Sequence, residues 1–285
     1  MRPLREFPLE AKRRVRGVFT DIDDTLTRYG RLHSTTLSAL EALRGAGLPV
    51  IAVTGRPTGW CEALARQWPI DAVVAENGAA CHYLDSRSGR QYTIHDADAP
   101  RRAAHRERLI AIAHRVLLDF PGARLSEDLW LRTGDVAIDI GENVDPLAPE
   151  SVARMADALR AQGCNVAASS IHVHASFGDY DKLKMSRRVA RELFAIDLDA
   201  QADQWVFIGD APNDAPMFAH FANSVGVANV MQFADRLVAK PRYVTQAGYG
   251  EGFVELASAL LAVQPDPPLL GPSGQAGSVC SGTHR

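Results

Sequence analysis

The sequence predicts an α/β protein in which a Rossmann-like parallel sheet forms the core and an α+β cap domain is inserted into it. Short apolar runs typical of buried strands alternate with segments of helical periodicity. This alternation stops at about residue 83 and resumes after residue 177, and the intervening segment has its own pattern. Carboxylate side chains follow two of the apolar runs, at the edge where open α/β sheets bind ligands.

In the first core segment, residues 1–82, strands are predicted from continuous apolar runs of the kind that parallel sheets bury. These strands are 15–20, 48–53 and 71–75. A helix over 35–46 follows from leucines at three-residue spacing and from the glycines at its end. A second helix begins near Pro57, since proline is favoured at the first helical position.

The segment 83–177 is interpreted as the inserted cap, because a helix followed by a hairpin occurs in it twice. Insertion of such a unit is tolerated where its two ends lie close together. The helices are predicted at 102–120 and 150–162, and the paired strands at 129–132 with 135–140 and at 164–168 with 171–177.

The core pattern returns over 178–263. Helices are predicted at 182–194, 214–222, 231–239 and 252–262, and strands at 205–208, 224–227 and 242–245. The remaining tail, 264–285, is rich in proline, glycine and serine, and we expect it to be disordered.

Composition excludes several classes of protein. Hydrophobic residues make up 46% and charged residues 23%, and the net charge of −3 gives no positive field for nucleic acid or an anionic membrane. No apolar run reaches the length of about 18 residues that indicates a membrane span. No secretory signal is recognised. The four cysteines form no close pair, which favours reduced thiols and a cytoplasmic location; they are Cys61, Cys81, Cys164 and Cys280.

The first chemical motif is FTDIDDTLT, residues 19–27, which follows an apolar strand. Asp21 and Asp23 are two residues apart, so at the end of an extended strand they face the same side. Carboxylates this close repel one another, and a divalent cation is the usual remedy. Taken alone, the motif is equally well explained as a polar loop that caps the next helix.

Two further strand ends carry polar groups. In VTGRP, Thr54 ends a strand, and Gly55 lets backbone amides approach phosphate oxygens, although an ordinary turn explains this motif too. In FIGDAPND, Asp210 ends a strand and is placed to bind a cation. Asp214 could bind it directly or through water, with Asn213 beside it, while helix capping is the alternative.

Taken together, DIDDT, the strand end at Thr54, Lys182 and GDAPND resemble the four-motif signature of the haloacid dehalogenase superfamily. VAENGA, residues 74–79, resembles the segment before the cap in subfamily IIB, the Cof-like and sucrose-phosphatase-like group with a large α/β cap. The match covers nearly all of residues 17–262, although the cap matches by layout only. One departure is Asp24, where most of the group has glycine, and Lys184 competes with Lys182 for the third motif.

The resemblance implies a Mg²⁺-dependent phosphatase that acts on a small phosphorylated metabolite through an aspartyl-phosphate. Asp21 would be the nucleophile and Asp23 the general acid and base. The remaining roles follow the motifs: Thr54, Gly55 and Lys182 on phosphate; Asp21, the main-chain carbonyl of Asp23, Asp210 and Asp214 on the metal; and Asn213 in support. Arg56 could touch phosphate or lie on the surface.

The cap is expected to exclude water and to determine specificity. The candidates are Trp130 and Arg132 on one predicted hairpin and His172 and His174 on the other. The two histidines alternate with apolar residues, so they face one side, towards solvent or substrate rather than a second metal. A sugar phosphate or related phosphomonoester is the expected substrate by family analogy alone.

Three alternatives remain at this stage. A phosphomutase of the phosphomannomutase type would return the phosphoryl group to a sugar. A non-catalytic binding protein on the same fold would lack a motif residue, and all are present. A metal-dependent glycosyltransferase would lack the elements at Lys182 and at Asp210 and Asp214.

Overall fold

The computed structural model describes residues 1–85 and 87–264 of the chain. Its strands are β1 (Arg2–Pro3), β2 (Gly17–Thr20), β3 (Thr27–Arg28), β4 (Arg31–Leu32), β5 (Val50–Val53), β6 (Ala72–Ala75), β7 (Ala80–Leu84), β8 (Gln91–His95), β9 (Arg124–Leu125), β10 (Asp135–Asp139), β11 (Asn165–Ala168), β12 (His172–Ser176), β13 (Trp205–Gly209), β14 (Asn223–Gly226) and β15 (Tyr243–Val244). Its helices are α1 (Leu9–Arg14), α2 (Ser34–Gly45), α3 (Thr58–Gln67), α4 (Ala99–Leu117), α5 (Pro149–Ala161), α6 (Lys182–Phe194), α7 (Ala215–His220) and α8 (Tyr249–Leu261).

The larger sheet has nine strands in the order β1-β15-β14-β13-β2-β5-β6-β7-β8. It is parallel from β1 to β6, and β7 and β8 are added antiparallel. Both faces are buried: Val18 and Ile208 pack into one core, and Phe19 and Phe207 into the other. This explains the unbroken apolar runs in the central strands, and it confirms the predicted α/β class.

The smaller sheet is antiparallel, in the order β11-β12-β10-β9. Helices α4 and α5 pack on this sheet, and a separate apolar core lies between the two helices and the sheet. Leu109 and Ile112 of α4, Met155 of α5, and Val136 and Val173 of the sheet are all buried there. Periodic leucine and isoleucine positions in the two helices therefore face the sheet, as amphipathic helices do.

Two predicted elements are wrong. Residues 129–132 do not form a strand, because Leu129–Leu131 is a 3₁₀ turn closed by hydrogen bonds from the amides of Leu131 and Arg132. Strand β10 pairs instead with β9 and β12. The helix predicted at 231–239 is replaced by a 3₁₀ segment, Ala228–Phe233.

The division into core and cap remains a prediction, but the strand pairing bears on its first boundary. Residue 83, the expected first residue of the cap, lies inside β7, and β8 extends the larger sheet to His95. Strand β8, QYTIH, is an edge strand of the larger sheet that the sequence analysis does not predict. Apart from Gln264, the tail predicted to be disordered lies outside the described residues. No helix within the described ranges has the length and apolar character required to cross a membrane.

Candidate active site

Three of the predicted motifs meet at one edge of the larger sheet. Strands β13, β2 and β5 are adjacent and parallel, so their carboxyl ends lie side by side. Asp21 directly follows β2, Thr54 follows β5 and Asp210 follows β13. The amide of Asp21 donates to the carbonyl of Ile208 at 2.9 Å, which continues the pairing into the loops.

Asp21, Asp210 and Asp214 form a buried acidic cluster around Lys182. One carboxylate oxygen from each aspartate lies within 4.8 Å of the others. The Nζ of Lys182 donates to Oδ1 of Asp21 at 2.6 Å and to Oδ1 of Asp214 at 2.7 Å. Lys184, the competing candidate, is half exposed and pairs with Asp179 and Asp181 outside this cluster.

The charges in this cluster do not balance. Burial raises the pKa of Asp21 well above its ordinary value, although Lys182 opposes this effect. Burial, Asp21 and Asp214 likewise raise the pKa of Asp210. Burial disfavours the charge of Lys182, but Asp21 and Asp214 hold its pKa above the usual range. Three buried carboxylates with one ammonium are a donor set that a divalent, oxygen-preferring cation fits.

Two members of the cluster, Asp214 and Asp210, are held by further hydrogen bonds. Oδ2 of Asp214 accepts from the amides of Asp210 at 3.0 Å and Ala211 at 3.1 Å, so both of its oxygens have protein partners. Asp210 accepts from Oγ1 of Thr25 at 3.3 Å and from Nδ2 of Asn229 at 3.1 Å. Asp214 therefore positions Lys182 and the loop that carries Asp210.

Sequence reasoning missed Asn229. Its Nδ2 also donates to the carbonyl of Asp24, and its Oδ1 accepts from the amide of Tyr249. It follows β14 in the segment VAN, so the signal that could have identified it is the one used elsewhere: a polar side chain just beyond the end of a parallel strand. Asp24, where most of the resembled group has glycine, has a φ of 58°, the left-handed conformation that glycine adopts freely.

Asp23 lies beside the cluster and is bound by Arg56. The guanidinium donates to Oδ2 of Asp23 at 2.8 Å and to Oδ1 at 2.9 Å, and a third bond reaches Glu142 at 2.9 Å. Nε2 of His172 lies 3.0 Å from the other oxygen of Glu142. Contact with His172 and the charge of Arg56 lower the pKa of Glu142 to about 2. Arg56 is therefore engaged in ion pairs with Asp23 and Glu142 and is not free on the surface.

The four predicted cap residues differ in their surroundings. His172 and His174 line a small cavity of about 20 Å³ with Asp21, Asp23 and Asp210. Arg132 is buried and donates to Asp128, Asp135 and the carbonyl of Gly55, so its guanidinium is occupied by protein groups. Trp130 is 77% exposed and lies outside that cavity. The structure therefore brings the two histidines into the cavity with Asp21, whereas Arg132 reaches this region only through the carbonyl of Gly55 and Trp130 is exposed.

Glu76 is a second residue that sequence reasoning missed, although it lies within VAENGA. Its side chain is fully buried and accepts from the backbone amides of Thr58, Thr133, Gly134 and Asp135 at 2.6 to 3.1 Å. Burial raises its pKa. Glu76 therefore links the end of β6 in the larger sheet to the start of β10. Strand β10 pairs with β12, which carries the two histidines.

The remaining predicted residues, Thr54, Gly55 and Asn213, lie at the same edge of the larger sheet as Asp21. Thr54 is buried, and its Oγ1 accepts from the amide of Arg56 at 3.1 Å. Gly55 lines the small cavity, and Asn213 donates from Nδ2 to Oδ1 of Asn77 at 3.2 Å. A larger cavity of about 670 Å³ adjoins the small one and shares His174 and Asn213 with it.

Comparison with known proteins agrees with this geometry. Residues 18–106 match the family model for haloacid dehalogenase-like hydrolases. The phosphoglycolate phosphatase of Methanothermobacter thermautotrophicus is 30% identical over 251 residues, which cover 85% of this chain and 96% of that protein. The phosphoglycolate phosphatase of Archaeoglobus fulgidus is 28% identical over 242 residues, 84% of this chain and 94% of that protein.

Solved structures share the fold. The sucrose-phosphatase of Synechocystis has a TM-score of 0.61 at 18% identity, covering 86% of this chain and 98% of that one. A protein of Thermoplasma acidophilum has a TM-score of 0.64 at 19% identity, with the same coverage of 86% and 98%. The chain belongs to the haloacid dehalogenase-like hydrolase family. Within that family it is an enzyme of the phosphatase type, a hydrolase of phosphoric monoesters.

Proposed function

We propose that this enzyme is a Mg²⁺-dependent phosphatase that hydrolyses a small phosphomonoester through an aspartyl-phosphate on Asp21. The observation that carries the proposal is the buried cluster of Asp21, Asp210 and Asp214 around Lys182 at the edge of the parallel sheet. The fold already holds the carboxylate of Asp21 beside the ammonium of Lys182. The reaction therefore does not have to bring these charged groups together from water.

In the first step, a carboxylate oxygen of Asp21 attacks phosphorus, and the bond from phosphorus to the leaving oxygen breaks. Asp23 gives its proton to that oxygen, so the leaving group departs as a neutral alcohol. Lys182 and the backbone around Gly55 neutralise the charge of the transferring group, while Thr54 orients it. Magnesium held by Asp21, Asp210 and the main-chain carbonyl of Asp23 would offset the repulsion between the phosphate and the carboxylates.

In the second step, water attacks phosphorus and Asp23 takes its proton, which regenerates Asp21 and releases inorganic phosphate. Arg56 donates to both oxygens of Asp23, so one of these bonds must open for Asp23 to exchange a proton with the leaving oxygen or with water. The cavity of about 20 Å³ beside Asp21 is no larger than a site for one water molecule. We propose that substrate enters from the adjoining cavity of about 670 Å³, and that Ser169, Ser170 and Ile171, which line the small cavity, move outward to admit it.

The substrate we favour is a sugar phosphate or a related polyol phosphate. A second candidate is phosphoglycolate, because the named relatives align over nearly their whole length. The discriminating experiment measures kcat/KM for phosphate release from a panel of both kinds of ester, with Mg²⁺ and with EDTA. A product in which the phosphoryl group stays on a sugar would instead favour the phosphomutase.

The nucleophile is tested by Asp21→Asn. We expect turnover to fall by at least about 10⁴-fold, because the amide cannot attack phosphorus, while the fold is retained. The matched control is Asp119→Asn, a change at an exposed aspartate after α4. Acid-quenched wild-type enzyme should carry a phosphoryl group by mass spectrometry, and the variant should not. Substantial turnover by Asp21→Asn would exclude Asp21 as the nucleophile.

A further inference from the structure

The side chains of His174 and Asn77 approach the same side of Gly55. A Cβ placed on Gly55 would lie 2.9 Å from Nε2 of His174 and 3.3 Å from Nδ2 of Asn77, so only glycine fits beside these two nitrogens. Among the described residues, Nδ2 of Asn77 is buried without a hydrogen-bond partner, and the ring of His174 makes its hydrogen bond through Nδ1. Both residues line the cavity of about 670 Å³, which is the space open to a ligand beside them.

The imidazole of His174 presents a hydrogen-bond acceptor to this space. Its Nδ1 lies 2.9 Å from Oδ2 of Asp135, and Arg132 donates to Oδ1 of the same carboxylate. Although burial opposes ionisation of Asp135, Arg132 and His174 hold its pKa below the ordinary value, so it accepts the Nδ1 proton. Burial lowers the pKa of His174, so the ring is neutral and Nε2 carries no proton.

Asn77 presents a hydrogen-bond donor to the same space. Its side chain is 8% exposed, and Oδ1 is fixed by the bond from Asn213, which directs Nδ2 away from that partner. Nδ2 is buried and unpaired. Its backbone has a φ of 53°, a conformation that asparagine tolerates better than most residues.

Burial of an unpaired donor is unfavourable, so such atoms in a site are expected to be paired when the ligand is bound. A hydroxyl group matches this pair, because it donates one hydrogen and accepts others. A carboxylate can accept from Asn77 but has no hydrogen for His174. A methylene group satisfies neither nitrogen.

We propose that His174 and Asn77 recognise a hydroxyl group on the leaving alcohol of the substrate. The hydroxyl donates to Nε2 of His174 and accepts from Nδ2 of Asn77. This inference rests on the proposed phosphatase function and narrows its substrate class to phosphomonoesters of polyols or sugars, in preference to phosphoglycolate. His174 and Asn77 are specificity residues here, and neither takes part in the transfer of the phosphoryl group.

The test compares three phosphomonoesters of similar size: 2-hydroxypropyl phosphate, propyl phosphate and phosphoglycolate. With Mg²⁺, we expect the wild-type kcat/KM for 2-hydroxypropyl phosphate to exceed the other two by at least about tenfold, because a site that binds a hydroxyl rejects analogues lacking it. In His174→Phe, which keeps an aromatic ring and removes the acceptor, this advantage should fall to within about twofold.

Asn77→Gly is the second variant, because glycine suits the positive φ and removes the donor. It should reduce the same ratio in the same direction. His114→Phe and Asn143→Gly, at exposed positions, are the matched controls and should keep the wild-type ratio. Thermal melting of each variant reports whether it is folded.

The inference is overturned if wild-type enzyme hydrolyses 2-hydroxypropyl and propyl phosphate equally, or if both folded variants keep the wild-type ratio. In either case Mg²⁺-dependent turnover that requires Asp21 would leave the phosphatase proposal standing. If the wild-type enzyme hydrolyses no phosphomonoester, both proposals fail together.

Discussion

The two walls of the catalytic cavity are built differently. On the side of the larger sheet, Asp21, Lys182 and Asp214 are buried. Nζ of Lys182 donates to Asp21 at 2.6 Å and to Asp214 at 2.7 Å. On the side of the smaller sheet, His172 and His174 are held through intermediaries, Glu142 and Asp135. In the proposed mechanism, the first wall supplies the charged groups that act on the phosphoryl group. In the second wall, the position of each histidine depends on one carboxylate partner. We therefore expect substitutions in the first wall to abolish turnover and substitutions in the second wall to change substrate preference.

The strongest test of the sheet side is Lys182→Met. Removing the ammonium leaves the carboxylates of Asp21 and Asp214 facing each other in a buried site, where breaking a buried pair costs about 3–5 kcal/mol. We also expect kcat to fall by about 10²–10³-fold, because a fixed positive charge on the phosphoryl group is lost. Phosphate-release kinetics and thermal melting provide the two measurements.

The control for that variant is Lys184→Met, two residues along the same helix and paired at the surface. It should leave kcat within about twofold and leave the melting temperature close to that of the wild type, because an exposed pair contributes little to stability. Equal effects of the two substitutions would remove Lys182 from the proposed mechanism.

The connection between the two walls is tested by Glu76→Gln. The glutamine has one acceptor oxygen where the glutamate has two, so some of the amides of Thr133, Gly134 and Asp135 would lose their partner. Each unpaired buried group costs about 1–3 kcal/mol. Urea denaturation should therefore show a loss of that order, whereas Glu127→Gln at an exposed position should show none. A variant as stable as wild type would mean that the bonds to Glu76 contribute little.

The smallest expected effect is on the link between Arg56 and Glu142. Glu142→Gln weakens the contacts to Arg56 and His172 that hold the second wall over Asp23. Since this wall borders the cavity that contains Asp21 and Asp23, we expect KM to change by about two- to fivefold while kcat changes less. Steady-state kinetics on the preferred ester measure this split, and a loss of kcat with constant KM would contradict it.

The same link has a predictable dependence on pH. The folded-state pKa of Glu142 is about 2, below the ordinary value of 4.5, so the contact stabilises the folded enzyme fully above pH 4.5. Its contribution is lost as the pH falls towards 2. Glu142 is partly exposed, so this contribution is small, and melting curves of wild type and Glu142→Gln should converge at acid pH.

The sequence was sufficient for the sheet side because each motif lies directly after a strand, and strand ends are fixed by local apolar runs. Asp21, Thr54 and Asp210 could be placed together on that ground alone. Their order also matched a known family, which the comparisons confirm. The proposed roles of these residues remain to be tested by substitution.

The second wall could not be predicted in the same way, because its contacts join residues far apart in the chain. Arg132 was interpreted as a substrate residue, yet it is enclosed by Asp128 and Asp135 within a turn that replaces the expected strand. Glu76 is 57 to 59 residues from the three amides it binds before β10. No periodicity or spacing in the sequence encodes such a pairing.

Glu76, Asn77 and Gly78 have φ angles of 49°, 53° and 119°, three successive residues in a conformation that L-amino acids rarely adopt. A side chain at residue 78 would also collide with the carbonyl oxygen of Asp181, the residue before Lys182. Changes in this short turn are therefore confined to very few residue types. The turn contacts the residue before Lys182 through Gly78 and the start of β10 through Glu76, so a change in its backbone would disturb both sides of the site together.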